Sequence, residues 1–232
     1  MSDASRERLR QLLLESSPDL AELNLLIAVE AYPKLDIARW LGRVQQLADD
    51  ATRHGGGVDG VLHALRAAGL EGDRSTYDDP RNSFLHEVLD RRVGLPIALS
   101  VLTVAVAERI GVPVAPVGLP GHFIVAELTG GTPRFLDPFH DWQELSTEEC
   151  ARIVRSLQGT PLVASHLAPT PPGPVVLRML TNLTNSYLLR ESLTDALWTV
   201  ELALIVKPDD VELAAQREAI LGAIDGADAE RE

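Results

Sequence analysis

Apolar residues recur at every third or fourth position through the first third of the chain, which is the spacing of one helix face. Leu9 and Leu12 follow this period, and Leu23 and Leu26 follow it again further along. A further helix is predicted from about Asp36 through Leu47. The first third is therefore predicted to be a layer of helices.

Three glycines after this helix formally match a dinucleotide-binding fingerprint, since Gly55, Gly57 and Gly60 are spaced as G-x-G-x-x-G. That fingerprint must follow a strand and open a helix, whereas this copy follows a charged helix. The glycines therefore predict a turn between helices, and no cofactor is expected.

The middle third contains both helices and strands. A helix is predicted at Phe84–Arg91, and a longer apolar helix at Pro96–Ile110, with proline in the first turn. The extended segments His122–Leu128 and Arg134–Asp137 flank a Gly-Gly turn, which predicts an antiparallel hairpin. A capping-box sequence at 146–149 then predicts another helix.

The sequence changes character again beyond residue 167. Residues 168–174 read Ala-Pro-Thr-Pro-Pro-Gly-Pro, which predicts a stiff linker with neither helix nor strand. One copy of the tetratricopeptide-repeat spacing follows, at Leu183, Tyr187, Ala196, Ala203 and Pro208. A further helix is predicted at 211–224. Because a lone repeat cannot bury its own face, we expect it to pack on the rest of the chain.

Charge narrows the choice of partner. With 21 Lys and Arg against 34 Asp and Glu, the formal net charge is −13, and residues 191–232 alone carry 11 acidic and 3 basic side chains. Nucleic-acid backbones and anionic membranes both require clustered Lys and Arg, so neither is an expected partner. The partner is expected to be a protein or a small molecule.

No segment of the sequence predicts a membrane span. The longest nearly unbroken apolar run, Ile97–Ala107, is interrupted only by Ser100 and Thr103 and is well short of the roughly 18 residues that a span requires. Residues 1–15 mix charged with apolar side chains and lack the apolar region of a signal peptide. A cytoplasmic protein is therefore expected.

The single cysteine excludes a disulfide framework and a thiolate zinc site, which leaves a nucleophilic role to consider. Cys150 lies near a predicted helix N-terminus, where a thiolate is favoured. It also shares an apolar helix face with Ile153, Val154 and Leu157, and unpaired cysteines are usually buried. The pattern favours a structural thiol over a catalytic one.

His122 and Asp137 form the first candidate site. If neighbouring strands bring them together, the carboxylate fixes the tautomer of the imidazole and stabilises its protonated form. The alternative is a histidine at a strand end and an aspartate that opens a turn before Pro138, both of which are common. Spacing alone leaves these two interpretations open.

His86, Glu87 and Asp90 lie in one predicted helix and match part of the H-E-x-x-H zinc motif. A histidine and an aspartate four residues apart on one helix face can bind a metal. With arginines at 91 and 92, however, the segment favours a solvated charged face. His140, just past Asp137, is a further candidate ligand or second base.

Several sequence blocks of the middle third occur in a characteristic order. They are Arg-Asn-Ser-Phe-Leu at 81–85, Gly-Leu-Pro-Ile at 94–97, Ile-Gly-Val-Pro at 110–113, Gly-Leu-Pro-Gly-His-Phe at 118–123 and Leu-Asp-Pro-Phe at 136–139. Together they span about residues 77–150 and closely resemble the SirB family of the transglutaminase-like superfamily. Agreement of several blocks in order is far more specific than agreement of one.

The resemblance implies an α+β fold. It comprises a helical N-terminal layer, a transglutaminase-like core with a buried central helix packed on a small antiparallel sheet, and C-terminal tetratricopeptide-like helices. The corresponding parts of the chain are an N-terminal helical region at 1–74, the core at 75–167, a Pro-rich linker at 168–174 and the tetratricopeptide-like region at 175–225.

The resemblance also implies a Cys-His-Asp triad, with the cysteine at the start of the core helix. His122 matches the histidine and Asp137 the aspartate, whereas the cysteine position falls on Pro96. Proline has no nucleophilic atom, so thiol chemistry is not expected there. Ser100, one helical turn further on, is a substitute to consider, but a serine inside an apolar helix more often bonds to the carbonyl four residues back.

Three functions remain open. The first is a protein that does not catalyse a reaction and whose degenerate active site binds a protein or a small molecule. The second is an amide or ester hydrolase or acyl transferase that forms no thioester and uses a His122–Asp137 general-base dyad, with Asn82 or Glu87 lining the cleft. The third is a metal-assisted enzyme, with ligands drawn from His86, His122, Asp137 and His140.

Overall fold

The structure, a computed structural model that describes residues 3–229, contains ten α-helices and a small antiparallel sheet within that range. The first elements are α1 (Asp3–Leu13), α2 (Leu20–Ala31), α3 (Ile37–Arg53), α4 (Gly57–Ala67) and β1 (Glu71–Gly72). The middle elements are α5 (Leu85–Arg91), β2 (Val93–Gly94), α6 (Pro96–Arg109), β3 (Val114–Val117), β4 (Ile124–Glu127), β5 (Arg134–Asp137), β6 (Gln143–Leu145) and α7 (Thr147–Gln158). Then follow α8 (Pro172–Leu189), α9 (Leu193–Val206) and α10 (Val211–Ala229). The predicted α+β class is confirmed.

Helix α6 is the buried central helix that the sequence predicts. Every residue from Pro96 to Ala107 is buried, so this helix presents no polar face to water. It packs against α2, α3 and α4 of the helical layer and against strands β3 and β4. No helix within residues 3–229 is both long and apolar enough to cross a membrane.

The sheet is a four-stranded antiparallel meander in the order β3, β4, β5, β6. The predicted hairpin is confirmed, since β4 pairs with β5 and Val125 lies opposite Leu136. Strands β3 and β6 were not predicted, because β3 contains Pro116 and β6 has only one apolar residue, Leu145. One sheet face packs into the core that contains α6, and the other packs on α7.

The predicted linker at 168–174 is wrong in its second half. Helix α8 begins at Pro172, because a proline in the first helical turn lacks only an N–H that has no partner there. The residues that precede α8 are hydrogen-bonded to the edge of the sheet at β3. The backbone N–H of Thr170 donates to the carbonyl of Pro116 at 2.7 Å, and its hydroxyl accepts from the backbone N–H of Gly118 at 2.8 Å.

The C-terminal helices share the main hydrophobic core with the N-terminal layer. Leu183, Ala196 and Ala203 are buried, and α8 packs against α2 and α6. The helix predicted at 211–224 is confirmed by α10. The tetratricopeptide-like character of this region and the division of the chain into four parts stay predictions.

Asn24 joins the helical layer to the segment that leads into α5. Its side-chain amide donates to the carbonyl of Ser83 at 2.9 Å, and its Oδ1 accepts from the backbone N–H of Leu85 at 2.7 Å. All of these groups are buried. Asn24 therefore satisfies two backbone groups that water does not reach.

We expect Asn24→Ala to lower the free energy of unfolding by about 2–4 kcal/mol, since each buried polar group left unpaired costs roughly 1–3 kcal/mol. Urea unfolding followed by circular dichroism measures this loss. Asn185→Ala, at an exposed position of α8, is the matched control and should change the stability by less than about 0.5 kcal/mol. Equal effects of the two variants would contradict the assigned role of Asn24.

Candidate active site

An open cleft of about 460 Å³ lies where the start of α6, the loop before β4, the turn after β5 and helix α7 meet. We name it the His122 cleft. Most of its surface is apolar or aromatic, and its polar groups are imidazoles, a guanidinium and hydroxyls. The lining residues are Tyr77, Pro96, Gly121, His122, Phe139, His140, Arg152, Ile153, Ser156 and Leu157.

Strands β4 and β5 bring His122 and Asp137 together. Because Val125 pairs with Leu136, Asp137 lies one step beyond this pair, on the side of His122. Nε2 of His122 and Oδ2 of Asp137 are 2.8 Å apart, and the two side chains are 7% and 0% exposed. The two candidate residues are therefore hydrogen-bonded, as a dyad requires.

Gly121 allows the loop that carries His122 to approach α7 closely. Its φ is +80°, a backbone conformation that residues with a Cβ rarely adopt. A Cβ at this position would lie 2.9 Å from the Cβ of Leu157. Glycine is therefore required both by the backbone conformation and by the space available.

Asp137 is the centre of a larger hydrogen-bond network. Its Oδ2 also accepts from Nδ1 of His140 at 2.8 Å, and its Oδ1 accepts from the backbone N–H of Phe139 at 3.0 Å. A carboxylate only accepts, so both of these imidazole nitrogens carry a hydrogen. Burial by itself raises the pKa of Asp137, but the hydrogen bonds and charges of His122 and His140 outweigh burial and lower it.

Pro96, which matches the position of the superfamily cysteine, is the first residue of α6 and lines the cleft. Ser100 is fully buried and does not line it. The expected hydrogen bond from Ser100 to the carbonyl four residues back is wrong, since its hydroxyl has no partner among the described residues. Thr103 makes a bond of that kind, to the carbonyl of Leu99 at 2.7 Å.

Cys150 is the buried structural thiol that the sequence favours. It is fully enclosed among Ile124, Leu145 and Val154, between the sheet and α7. Burial, followed by the negative charge of Asp137, raises the pKa of the Cys150 thiol to about 11. The thiolate form is therefore disfavoured at neutral pH.

Glu87 and His86 lie in a second cleft of about 570 Å³, which shares no lining residue with the His122 cleft. Oε1 of Glu87 accepts from the hydroxyl of Tyr32 at 2.9 Å. Glu87 therefore does not line the His122 cleft, contrary to expectation, because helix α5 directs it toward the end of α2. The lining residues of the second cleft are Tyr32, Pro33, Lys34, Leu35, Asp36, Arg39, Trp40, His86 and Glu87.

Asn82 does not line the His122 cleft either. Its amide donates to Oδ2 of Asp73 at 3.0 Å, and its Oδ1 accepts from Arg91 at 3.0 Å. Its backbone carbonyl accepts from the N–H of Leu95, the residue that precedes α6. Asn82 therefore positions the start of α6, and through it Pro96, without touching the cleft.

Three of the four residues named by the metal hypothesis lie together. His122, Asp137 and His140 each offer one ligand atom, and these atoms lie within 4.8 Å of one another. His86 lies apart from them, in the second cleft. Two imidazoles and one carboxylate suit zinc or iron, so a metal at these three residues stays a prediction.

His86 is a buried imidazole without a hydrogen-bond partner among the described residues. Both of its ring nitrogens are inaccessible to water. The ring packs edge to face against Tyr32, with ring centroids 4.3 Å apart, and lies near Trp40. Burial lowers the pKa of His86, although Glu87 and Asp90 partly oppose this effect.

Sequence reasoning missed the part of the cleft that α7 supplies. Leu157 was assigned to the apolar core face of this helix, yet it is 53% exposed and lines the cleft with Ile153. Arg152 and Ser156, four residues apart on α7, were not singled out, although that spacing puts both on one face. Tyr77 carries no sequence signal that identifies it as a cleft residue.

The buried Cys150 thiol should react slowly with alkylating reagents while the protein is folded. Native protein at pH 7.5 should react with iodoacetamide at least tenfold more slowly than protein unfolded in guanidinium chloride, because burial disfavours the thiolate and blocks access. Mass spectrometry of the labelled protein measures the difference. Rapid stoichiometric labelling of the native protein would show that the thiol is accessible.

We expect His86→Phe to stabilise the protein. Removal of two buried unpaired nitrogens should raise the free energy of unfolding by about 1–3 kcal/mol. Because the pKa of His86 is lowered on folding, the wild-type protein loses stability as pH falls below the unfolded value of about 6.5. The advantage of the variant should therefore be larger at pH 5.5 than at pH 8, as measured by urea unfolding.

His63→Phe is the matched control for His86→Phe, because His63 is an exposed histidine of α4. It should change the stability little at either pH. If His86→Phe is less stable than wild type at both pH values, His86 makes favourable interactions in solution and the assignment is wrong.

Comparison with known proteins identifies the family. The chain is 33% identical to a UPF0162 protein of Xylella fastidiosa over 72% of this chain and 64% of the relative. It is 31% identical to a UPF0162 protein of Vibrio cholerae over 61% of this chain and 53% of the relative. It is also 30% identical to F-box only protein 21 of Homo sapiens, over 62% of this chain and 24% of that protein.

The chain thus spans less than two thirds of the length of these three relatives. No solved structure matches it. The narrower assignment to the SirB family stays a prediction. The sequence profile of the transglutaminase-like superfamily matches residues 34–181, which is more than half of the chain. The protein therefore belongs to the transglutaminase-like superfamily.

Proposed function

We propose that this protein hydrolyses an amide or an ester without a thioester intermediate, and that His122 acts as a general base on water. The observation that supports this function best is the 2.8 Å hydrogen bond from Nε2 of His122 to the fully buried carboxylate of Asp137, beneath an open cleft. Burial of a carboxylate costs desolvation free energy unless hydrogen bonds or an opposite charge compensate it. Such a pair at the wall of a cleft is typical of an active site.

The hydrogen bond to Asp137 determines which nitrogen of His122 is basic. With the hydrogen on Nε2, the lone pair of the neutral ring is on Nδ1. Among the described residues, none forms a hydrogen bond with Nδ1, so this nitrogen is available to a water molecule in the cleft. The carboxylate stabilises the imidazolium that forms when Nδ1 accepts a proton.

Hydrolysis through this base requires no nucleophilic side chain. Nδ1 of His122 takes a proton from water as the water oxygen attacks the carbonyl carbon of the ligand. The bond from that carbon to the leaving nitrogen or oxygen then breaks, and the leaving group takes up a proton. General-base assistance of this kind contributes roughly 10²–10⁴-fold to a rate.

The thiol-independent route is favoured by the positions of Pro96 and Cys150. Pro96 lines the cleft where the superfamily resemblance puts the cysteine, and it offers no nucleophilic atom. Cys150 is enclosed between the sheet and α7, and its pKa is raised to about 11. Neither residue supplies a thiolate to a ligand in the cleft.

A second candidate function is ligand binding without turnover. Tyr77, Pro96, Phe139, Ile153 and Leu157 make most of the cleft apolar or aromatic. Cavities of this size with apolar walls and a few polar groups are typical binding sites for small molecules or for single side chains of a partner protein. In this alternative, His122 orients the ligand and performs no proton transfer.

Hydrolysis of a panel of N-acetyl-L-amino-acid p-nitrophenyl esters and p-nitroanilides, followed by absorbance, tests the proposal. We expect His122→Ala to lower kcat/KM by about 100-fold or more for the substrates that the wild-type protein cleaves, since it removes the base. His63→Ala and Cys150→Ala should keep the wild-type rate. Thermal unfolding checks that each variant is folded.

Equal rates for wild type and folded His122→Ala across the whole panel would contradict the hydrolase. Binding of uncleaved panel members by wild type, measured by calorimetry and lost in His122→Ala, would then favour the second candidate. Inhibition of wild-type turnover by iodoacetamide under native conditions, absent in Cys150→Ala, would contradict the thiol-independent route.

A further inference from the structure

Two imidazoles share one oxygen atom at the base of the His122 cleft. Nε2 of His122 and Nδ1 of His140 both lie 2.8 Å from Oδ2 of Asp137. The centroids of the two rings are 6.0 Å apart, and both rings line the cleft. The superfamily triad accounts for His122 and Asp137 but gives no role to His140.

We propose that His140 is the general acid of the cleft, which protonates the leaving group while His122 removes a proton from water. This inference rests on the proposed hydrolytic function and extends it, because it assigns the second proton transfer to a residue. It also defines the substrate class as amides, or as esters of poorly acidic alcohols, whose leaving groups must be protonated in order to depart.

The turn that follows β5 holds His140 in this position. Oδ1 of Asp137 accepts from the N–H of Phe139 and closes a short 3-10 turn at Pro138–His140. The turn brings the His140 ring back over the carboxylate, where its Nδ1–H donates to Oδ2. Phe139 packs edge to face against both imidazoles and helps to fix their orientation.

The hydrogen bond leaves Nε2 of His140 as the nitrogen that is free to exchange a proton with a ligand. The His140 side chain is 41% exposed, whereas that of His122 is 7% exposed. A solvent-facing imidazole can regain a proton from water after each turnover. A buried, firmly oriented imidazole is better suited to act as the base.

The two rings share the negative charge of one carboxylate. Asp137 is the only carboxylate that contacts the two rings among the described residues, and it compensates one positive charge. A second imidazolium about 6 Å away would repel the first, and Arg152 adds a further positive charge to the cleft.

The other charged groups nearby are already engaged. Asp141, next to His140, pairs with Arg66 at 3.1 Å, and Glu149 lies 3.5 Å from Arg152. Tyr77, whose ring packs edge to face against Phe139, is neutral because burial raises its pKa. Asp137 is therefore the carboxylate that orients both imidazoles, His122 as the proposed base and His140 as the proposed acid.

The proton transfers balance over one turnover. Nδ1 of His122 takes a proton from water, and the water oxygen bonds to the carbonyl carbon. The bond from this carbon to the leaving nitrogen or oxygen breaks as Nε2 of His140 gives its proton to that atom. The products are a carboxylic acid and an amine or an alcohol. His122 then releases a proton to solvent, and His140 takes one up.

Two esters that share the same acyl group distinguish the role of the general acid from that of the general base. The ethyl ester of N-acetyl-L-leucine needs protonation of its leaving group, whereas the p-nitrophenyl ester does not. We expect His140→Ala to lower kcat/KM at least tenfold more for the ethyl ester than for the p-nitrophenyl ester. His122→Ala should slow both esters alike. His140→Gln serves as the second variant if His140→Ala does not fold.

Nuclear magnetic resonance of protein labelled with ¹⁵N-histidine provides a test that is independent of turnover. In the neutral state, His140 should carry its hydrogen on Nδ1, which is the minor tautomer of free histidine, and His122 should carry it on Nε2. In Asp137→Asn, His140 should revert toward the major tautomer. His54 and His63, which lie outside the cleft, are internal references.

Three results would overturn the assignment of His140. They are equal rate losses for the two esters in His140→Ala, an Nε2-protonated tautomer at His140 in wild type, and stoichiometric zinc or iron in the purified protein. A metal would take the positions of both hydrogens on the shared carboxylate. If His122→Ala is fully active, the proposed function itself fails, which is a different outcome from each of these.

Discussion

The carboxylate of Asp137, withheld from water, is the interaction on which the rest of the cleft depends. A buried charge is unfavourable unless hydrogen bonds replace its solvation, and here three donors do so. Each hydrogen bond also fixes one part of the site. The first orients the imidazole of His122, the second closes the backbone turn at Phe139, and the third orients the imidazole of His140. Stability and site geometry are therefore two consequences of one constraint.

The surrounding layers of the fold exclude water from the carboxylate of Asp137. Helix α6 is apolar along almost its whole length and fills one side of the sheet, while α7 covers the other side. The cleft opens only where these layers end, beside the first residue of α6, Pro96. Gly121 lets the layers meet there without a collision. The second cleft belongs to a different junction, between α2, α3 and α5, so the two cavities are structurally independent.

The features that sequence analysis predicted depend on local chemistry. The buried central helix follows from an apolar run behind a proline, and the hairpin follows from alternation around Gly-Gly. The features it missed depend on contacts between distant segments. Asn82 lies in the first of the ordered sequence blocks and Glu87 follows that block closely, yet their side chains contact other neighbours, Asp73 and Tyr32. The spacing of Leu157 along α7 is that of a core residue, but its side chain faces the His122 cleft and stays exposed there.

Pro96 has a consequence for how the protein responds to oxidants. A thiolate at the start of the central helix would be open to conversion into sulfenic and sulfinic acids, and its chemistry would depend on a reducing environment. The residues that line the His122 cleft include neither cysteine nor methionine. Peroxide therefore finds no sulfur to modify in this cavity, and the groups available for chemistry there, imidazole and carboxylate, keep the same form in oxidising and reducing surroundings.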